Sequence, residues 1–184
     1  MQGKQSTLSP RQQAMADLWD AHTRAEFSEN SLEKTMQTMT DNPSVNHVPV
    51  ITGGYGYDQV VHFYGKYFIP AQPEDTEIVS LTRTIGENRL VDELIHRFTH
   101  DVYMPWILPG VPPTGNKVEV AVIVVVEFEN GKIAGERIYW DQASVLEQVG
   151  LVDRAFLPVW GREIALKQLD ASRPSNVLIT RSEK

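Results

Sequence analysis

The amino-acid sequence predicts an α+β domain in which a curved antiparallel sheet is wrapped around N-terminal helices. Apolar residues recur at helical spacing near the start of the chain, and a run of strand-like segments follows them. The clearest of these segments is a β-hairpin within residues 117–148. It is closed by Asn130 and Gly131, a dipeptide that tolerates positive φ at both central turn positions.

The first helix is predicted to begin directly after Ser9. Pro10 suits the first helical turn, and Gln12 stands three residues after Ser9, so these two side chains can form a capping box. The residues that follow at helical spacing begin apolar and end with a histidine and a carboxylate: Met15, Leu18, Trp19, His22 and Glu26.

Shorter elements follow this helix. Asn30 with Glu33 indicates a second helix, residues 41–43 a turn, and residues 44–51 a strand that leads into a glycine-rich loop at 53–56. A third helix is predicted over about residues 58–69. Its packing positions are Val60, Phe63, Tyr64, Tyr67 and Phe68.

The second half of the chain is predicted to consist mainly of strands. They cover residues 77–85, 90–101 and the hairpin, and a proline- and glycine-rich loop at 104–115 interrupts them. A short helix or turn is predicted at 141–149 and a helix at 158–169, before a polar tail. If Glu129 and Lys132 flank the hairpin turn, the pairs beyond it are Phe128 with Ile133, Val125 with Glu136, Ile123 with Ile138 and Ala121 with Trp140.

The bulk composition excludes several classes of function. The net charge of −7 and the lack of a lysine and arginine cluster argue against a nucleic-acid partner. The chain has no cysteine, which excludes disulfides and thiolate chemistry. The first thirteen residues lack the apolar core of a signal peptide, and no run of residues is long and apolar enough to span a membrane. We therefore expect a cytoplasmic protein without a membrane partner.

One stretch carries the motifs of a known family. Thr99 and His100 end a strand, Gly-Val-Pro-Pro-Thr-Gly follows at 110–115, and a valine-rich strand leads into Asn-Gly-Lys-Ile at 130–133. In this order the motifs resemble the SnoaL-like polyketide cyclases, a branch of the cone-shaped nuclear-transport-factor-2-like fold. The typical pattern there is a Thr-His strand end, a Gly-x-Pro-Pro-Thr-Gly loop and Asp-Gly-Lys-Ile. The resemblance covers roughly residues 18–149.

The resemblance implies an internal, mostly apolar pocket for a small hydrophobic ligand and a homodimer formed through the outer sheet face. We divide the chain accordingly into a SnoaL-like domain, residues 1–152, and a C-terminal extension, residues 153–184. The family includes cofactor-independent cyclases, isomerases and hydrolases as well as binding modules, so the fold alone does not define the function. We expect no cofactor and no metal ion.

His22 and Glu26 are neighbours on the first helix because they are four residues apart. A buried carboxylate must be paired or protonated. The two side chains can form a hydrogen bond in the core, act as acid–base groups at the pocket, or bind a metal ion with His47 or His100 as the third ligand. The sequence leaves these three interpretations open.

The strand at 90–101 can turn either face to the pocket. Glu93 is a candidate buried acid, and its alternative role is a cross-strand ion pair with Arg97 or Arg137. The resemblance implies that His100 is the strand-end histidine that contacts substrate in the cyclases. The alternative for His100 is a solvated strand end.

Comparison with ketosteroid isomerase implies that Glu136, Ile138 and Trp140 point into the pocket. Glu136 would then be a carboxylate in an apolar setting and a usable base; alternatively this face forms the dimer interface and Glu136 pairs across it. The cyclases place a catalytic aspartate near the end of this strand, where the chain has Ile138. Asp141 lies three residues further on and suits the N-cap of the next helix.

Four further residues are predicted to contact a ligand, although ordinary packing explains each of them equally well. His47 lies on a strand that leads into the glycine-rich loop, and Tyr55 lies at the lip of that loop. Phe63 belongs to the third helix, and Trp106 in the proline-rich loop is a candidate lid.

Together with these residues, the resemblance implies an enzyme of the SnoaL-like type for cofactor-independent cyclisation, isomerisation or hydrolysis of a hydrophobic oxygenated substrate. Glu136 or Glu93 would be the base, and His100 and His22 would polarise or protonate a carbonyl oxygen. The alternative is a non-catalytic ligand-binding or dimeric scaffold module, which the missing aspartate favours. A cavity of roughly 300 Å³ or more, in which Glu136 and His100 converge, would favour the enzyme, and a closed core would favour the module.

Overall fold

The computed structural model describes residues 8–182 and confirms the α+β fold. Residues 1–7 and 183–184 lie outside the described residues. Two predictions fall there in part: that the first thirteen residues are not a signal peptide, and that the chain ends in a polar tail. Within residues 8–182, no helix has the length and apolar character that a membrane span requires. The helices are α1 (Pro10–Phe27), α2 (Leu32–Gln37), α3 (Tyr57–Phe63), α4 (Gln142–Gln148), α5 (Glu163–Leu169) and α6 (Val177–Ser182). The strands are β1 (Met39–His47), β2 (Thr52–Tyr55), β3 (Glu77–Ile85), β4 (Arg89–Thr99), β5 (Lys117–Glu129) and β6 (Lys132–Trp140).

The six strands form one curved, open sheet in the order β2–β1–β6–β5–β4–β3. Neighbouring strands are antiparallel except β1 and β6, which run parallel. The prediction of a wholly antiparallel sheet was therefore wrong at this pair. A hairpin forces two strands to be antiparallel, whereas β1 and β6 are far apart in the sequence and can pair in either direction.

Helix α1 begins as the sequence predicts. Ser9 Oγ accepts a hydrogen bond from the backbone N–H of Gln12 at 3.3 Å, and the Gln12 side chain accepts one from the N–H of Ser9 at 2.9 Å, which completes the capping box. The buried face of the helix includes Trp19, His22 and Glu26. This face therefore carries a histidine and a carboxylate into the interior.

Three predictions between α1 and α3 were wrong in detail. Ser31, rather than Asn30, caps α2. Residues 41–43, predicted as a turn, lie inside β1 at the point where its pairing with β6 is irregular. A proline is tolerated there because an irregularity leaves backbone N–H groups outside the ladder. Residues 52–55, predicted as part of a loop, form β2.

The β5–β6 hairpin closes at Asn130 and Gly131, whose φ angles are 52° and 74°. The predicted pairing is correct next to the turn, where Phe128 pairs with Ile133. A β-bulge follows, in which Ala134 is the extra residue, and this bulge makes the predicted register wrong by one residue. The pairs beyond the bulge are Glu136 with Val126, Ile138 with Val124 and Trp140 with Val122.

The bulge decides which side chains of the hairpin face the interior. The β5 residues on the inner face are the buried valines, and beyond the bulge Glu136, Ile138 and Trp140 lie on the same face. On β4 the inner positions are the even-numbered ones, of which Asp92 and His96 are buried. The inner face of the sheet thus combines apolar residues with a small number of ionisable side chains.

The C-terminal extension packs back onto the sheet. Helix α5 contacts β5, and its Ala165 is completely buried. Arg162, just before α5, forms an ion pair with Glu119 on the outer face of β5. The Gln148 side chain binds both the backbone N–H and the C=O of Glu119, which gives this end of β5 the partners that β6 does not provide. The division of the chain at residue 152 stays a prediction.

Candidate active site

A cavity of about 460 Å³ lies between the inner face of the sheet and the helices. Its wall comes from α1, the turn after α3, strand β1, strands β3 to β6 and the loop around Trp106. The volume is in the range of small-molecule sites, and most of the wall is apolar or aromatic. Two groups of polar side chains interrupt this wall. We call them the carboxylate cluster (His22, Glu26, Tyr64 and Glu136) and the aromatic cluster (His47, His96, Trp106 and Trp140).

In the carboxylate cluster, two carboxylates share one histidine. His22 Nε2 lies 3.0 Å from Glu26 Oε1 and 3.1 Å from Glu136 Oε1. The Tyr64 hydroxyl donates a hydrogen bond to Glu136 Oε1 at 3.1 Å and lies 3.3 Å from His22 Nε2. Glu26, Tyr64 and Glu136 line the cavity, whereas His22 is completely buried behind them. Only the carboxylates and the phenol are therefore placed to touch a ligand.

Thr38 binds His22 on the side away from the cavity. The Thr38 hydroxyl donates to the Thr35 carbonyl at 2.6 Å, so its oxygen accepts a hydrogen bond from His22 Nδ1–H at 2.6 Å. If His22 were neutral with its proton on Nδ1, the Nε2 lone pair would face two carboxylates and be repelled by them. A second proton on Nε2 replaces this repulsion with ion pairing.

The electrostatics of the cluster agree with this geometry. Burial by itself lowers the pKa of His22, but the neighbouring Glu26 and Glu136 outweigh burial and raise this pKa to about 10. Burial raises the pKa of Glu26, and His22 opposes that rise. Burial, together with both carboxylates, also raises the pKa of Tyr64 well above its ordinary value. His22 is thus an imidazolium at neutral pH, and Tyr64 keeps its proton as a donor.

The charge of the cluster allows it to hold a mobile proton. Two carboxylates around one imidazolium leave one excess negative charge in an apolar wall, and desolvation makes that charge costly. Uptake of one further proton relieves this cost, and Glu26 is the carboxyl group whose pKa burial raises. The arrangement can therefore accept a proton at one carboxylate of the cavity wall and release one from the other.

The aromatic cluster lies further along the same cavity. The ring centroids are 5.2 Å apart for His47 and Trp106, 5.7 Å for His47 and Trp140, and 5.8 Å for His96 and Trp106. Burial lowers the pKa of His47 to about 3 and that of His96 to about 4, so both imidazoles are neutral at pH 7. One nitrogen of each ring is buried and, among the described residues, has no hydrogen-bond partner: His47 Nδ1, His96 Nε2, Trp106 Nε1 and Trp140 Nε1.

A third carboxylate in the cavity wall, Asp92, is fully engaged by its neighbours. Arg83 donates to both carboxylate oxygens of Asp92, from Nε to Oδ1 at 2.6 Å and from Nη2 to Oδ2 at 2.8 Å. The Trp19 indole N–H donates to Oδ2 at 2.7 Å, and Arg83 also reaches Asp20 at 2.8 Å. With these partners Asp92 ties α1 to β3 and β4, and we assign it a structural role.

Of the residues predicted for the site, the structure brings six to the cavity wall and places one directly behind it. His22 is the residue behind the wall, in contact with two side chains that line it. The six residues in the wall are Glu26, His47, Trp106, Glu136, Ile138 and Trp140.

Two residues predicted as catalytic lie elsewhere. Glu93 is on the outer face of β4, where it accepts a hydrogen bond from the Thr82 hydroxyl at 3.0 Å, because the even-numbered residues of β4 face inward. His100 is completely buried after the end of β4, with its Nδ1 3.2 Å from Thr114 Oγ1. It lies outside the cavity wall, so the predicted convergence of His100 with Glu136 does not occur.

Two of the residues predicted to contact a ligand also lie outside the cavity wall. Tyr55 is 68% exposed on the edge strand β2, and Phe63 lies in the core with its ring 5.4 Å from that of His47. Phe63 therefore supports the wall from behind. Asp141, by contrast, caps α4 as expected, accepting a hydrogen bond from the N–H of Ser144 at 3.1 Å.

Sequence reasoning missed Tyr64 and His96 as members of the site. Tyr64 was treated as a packing position of a regular third helix, but residues 64–68 form a π-helical turn directly after α3. Such turns often occur at functional sites, and this one brings the Tyr64 hydroxyl to Glu136. His96 shares the inner face of β4 with Asp92. The alternation of β4 would have identified His96 once the inner face was known.

His22, Glu26 and Glu136 also form the group with the geometry closest to a metal site. One ligand atom from each lies within 4.8 Å of the other two, so Glu136 takes the place that the sequence offered to His47 or His100. A metal ion would require His22 Nε2 without its proton. The two carboxylates raise the pKa of this imidazole to about 10, so a metal ion would have to displace that proton.

Comparison with known proteins agrees with this fold. The family model described as SnoaL-like polyketide cyclase matches residues 91–149, which include β4, β5, β6 and α4. No curated protein sequence matches the chain. Residues 91–149 thus resemble the SnoaL-like family, and the chain has the nuclear-transport-factor-2-like fold.

Several solved structures share this fold at low sequence identity. A candidate SnoaL-like polyketide cyclase from Jannaschia sp. CCS1 is 18% identical, with a TM-score of 0.63, and the match covers 80% of this chain and 99% of that one. TsrD from Streptomyces laurentii is 14% identical, with a TM-score of 0.60, and the match covers 79% of this chain and 100% of that one. AclR, a candidate hydroxylase from Streptomyces galilaeus, is 15% identical, with a TM-score of 0.59, and the match covers 77% of this chain and 88% of that one. At these identities the likeness shows a common fold.

Proposed function

We propose that the chain is a small-molecule enzyme that carries out a cofactor-independent acid–base reaction on a hydrophobic oxygenated substrate. The reaction class is a cyclisation, an isomerisation or a hydrolysis. One observation carries this proposal: Glu26 and Glu136 both face one apolar cavity and share the buried His22 behind it. The family model, which is that of polyketide cyclases, supports the same class of chemistry.

The geometry gives each member of the carboxylate cluster a role in proton transfer. Glu136 takes a proton from a substrate carbon next to a carbonyl group, and the electron pair of the C–H bond moves onto the carbonyl oxygen. Glu26, the carboxyl group with the raised pKa, delivers a proton to the resulting enolate. His22 does not reach the cavity and acts as a positioning residue, because its charge holds both carboxylates at the wall.

The apolar wall is required for this chemistry. General acid–base groups contribute about 10²–10⁴-fold each, so the remaining rate enhancement must come from holding the substrate next to them. Tyr64 restricts Glu136 through its hydrogen bond and keeps one oxygen of this carboxylate occupied. The other oxygen of Glu136 is then the one available to a substrate proton.

Two observations favour the alternative, a non-catalytic ligand-binding module. His100 and Glu136 lie in unrelated environments, and the family resemblance implies that Ile138 stands where the cyclases carry an aspartate. The cavity volume and the convergence of Glu26 with Glu136 support the enzyme instead.

We also propose a cytoplasmic location and a homodimer formed through the outer sheet face, where Ile123 and Tyr139 are exposed. Sedimentation of the purified chain tests the dimer.

Hydrogen–deuterium exchange tests the enzyme without knowledge of the natural substrate. The protein is incubated with 1-tetralone, a flat uncharged ketone, in D₂O, and loss of the α-proton signal is followed by ¹H NMR. We expect exchange above the buffer rate that falls about 10²–10⁴-fold in the Glu136→Gln variant. Glu93→Gln is the matched control, because Glu93 is a half-buried glutamate on the opposite face of the sheet and should leave the rate unchanged.

Two outcomes would reject the acid–base proposal. The first is exchange by the wild-type protein no faster than in buffer, which would favour the binding module. The second is equal exchange by the wild-type and Glu136→Gln proteins, which would show that Glu136 is not the base.

A further inference from the structure

The aromatic cluster contains polar atoms that the chain itself leaves unpaired. Trp106 Nε1 and Trp140 Nε1 are N–H donors, and both are buried without a partner among the described residues, as are His47 Nδ1 and His96 Nε2. Most buried polar groups in proteins are paired, and leaving one unpaired costs about 1–3 kcal/mol. Four such atoms belong to residues of one cavity wall, where a bound ligand can supply the partners that the chain does not.

The position of this cluster separates it from the carboxylates. On β6, Glu136, Ile138 and Trp140 follow one another on the inner face, and His47 on β1 pairs with Ile138. Strands rise about 3.3 Å per residue, so His47 lies roughly 7 Å and Trp140 roughly 13 Å along the sheet from Glu136. A carbonyl bound here is too far from Glu136 to be the one next to the reacting carbon. The cluster therefore suits a second, remote oxygen of the ligand.

The charges around the cavity select against an acidic ligand. Its wall contains four carboxyl side chains, Asp20, Glu26, Asp92 and Glu136, and the guanidinium groups of Arg24 and Arg83. Arg83 is already engaged by Asp92 and Asp20. Within the aromatic cluster no group is cationic at neutral pH, since burial keeps both imidazoles neutral. An anion bound here would meet donors but no countercharge.

We propose that Trp106 and Trp140 form a binding subsite for an uncharged acceptor oxygen, a ketone or ester carbonyl, at the end of a flat apolar ligand remote from the carboxylate cluster. Flatness follows from the rings in the wall, since Trp106 stacks on His96 with an interplanar angle of 19° and packs 4.9 Å from Phe68. Both donors are buried, so a ligand oxygen reaches them only if side chains of the wall shift on binding. This inference rests on the proposed function, which places the reacting end of the ligand at the carboxylate cluster, and it adds the chemical class of the ligand.

The indole N–H resonances of the protein provide a direct test. The chain has four tryptophans, and in a ¹H–¹⁵N spectrum each gives its own indole signal, assigned by single Trp→Phe variants. The probes are 2-acetonaphthone, a flat ketone, 2-ethylnaphthalene, its hydrocarbon analogue, and 2-naphthoate, its anionic analogue. We expect the ketone to move the Trp106 and Trp140 signals downfield, as new hydrogen bonds form. The Trp160 signal is the internal control, because Trp160 lies outside the cavity wall.

Variants that keep an aromatic side chain but remove the indole N–H complete the test. Trp106→Phe and Trp140→Phe should each weaken ketone binding about 2- to 12-fold, the effect of one ordinary hydrogen bond. They should leave 2-ethylnaphthalene binding unchanged, and 2-naphthoate should bind at least about tenfold more weakly than the ketone. An unchanged Trp19 signal in the ligand-free spectrum shows that each variant is folded, because this N–H binds Asp92.

Several results would overturn the subsite. They are no binding of the ketone at millimolar concentration, ketone binding that moves neither indole signal, or naphthoate binding as tight as that of the ketone. Because these are binding measurements, they also separate the two proposals. Glu136→Gln should lower exchange of 1-tetralone about 10²–10⁴-fold while leaving the indole shifts intact, so either proposal can fail alone.

Discussion

The two clusters of the cavity contain three buried histidines that respond to burial in opposite ways. His22, His47 and His96 are 0%, 3% and 5% exposed. The pKa of His22 is raised to about 10, whereas the pKa values of His47 and His96 are lowered to about 3 and 4. Burial alone lowers a histidine pKa, and only His22 has two carboxylates within hydrogen-bond distance. Neighbouring charges, rather than depth, therefore divide this cavity into a charged and a neutral part.

The clusters also differ in how their hydrogen bonds are completed. His22 uses both ring nitrogens within the chain, on Thr38 and on the two glutamates. In the aromatic cluster one nitrogen of each ring has no partner among the described residues. A completed network maintains a fixed charge arrangement, whereas an incomplete one has capacity for a ligand. The difference is consistent with chemistry at one end of the cavity and recognition at the other.

The largest expected difference between the clusters is in stability. His22→Phe removes the partner of two buried carboxylates and should lower the free energy of unfolding by about 3–5 kcal/mol. His96→Phe, the matched control, exchanges a neutral ring without a charged partner and should cost less than about 1.5 kcal/mol. Urea unfolding at pH 7 measures both values. Equal losses in the two variants would show that the carboxylate cluster is not held by charge.

A smaller difference is expected in how stability depends on pH. The unfolded chain protonates His47 and His96 near pH 6.5 and the folded chain only near 3 to 4, so stability should fall as the pH falls through this window. For His22 the sign is reversed: its contribution is complete below pH 6.5 and is lost as the pH rises through about 10. Urea unfolding midpoints measured between pH 4 and pH 11 report both the loss of stability at acid pH and the loss at alkaline pH. His96→Phe should flatten the acid side, and an unchanged slope there would contradict the buried neutral state.

Local signals in the sequence were sufficient for the main helices and strands of the fold. The capping box of Ser9 and Gln12, the Asn130–Gly131 turn and the alternation of β4 and β5 each depend on near neighbours in the chain. The parallel pairing of β1 with β6 and the bulge at Ala134 do not, because they arise when distant segments are fitted together. The bulge has the largest consequence, since it alters every pair of β6 beyond it.

The candidate site was predictable only in part for the same reason. Helical spacing indicated that His22 and Glu26 are neighbours, and family comparison indicated that Glu136 lies inside. That Glu136 meets His22 depends on packing α1 against β6, which no local pattern encodes. The resemblance misdirected the choice of His100, because a strand-end motif shared with the family lies outside the cavity in this chain.

The protonation of His22 tests the account most directly, because the charged cluster at Glu26 and Glu136 depends on it. Side-chain ¹⁵N NMR follows both ring nitrogens of each histidine across the pH range. We predict that both nitrogens of His22 stay protonated until the pH approaches about 10, while His47 and His96 stay neutral down to about pH 4. If His22 instead loses its proton near pH 6.5, as an unperturbed histidine does, the two carboxylates do not share an imidazolium, and the proposed acid–base site is contradicted.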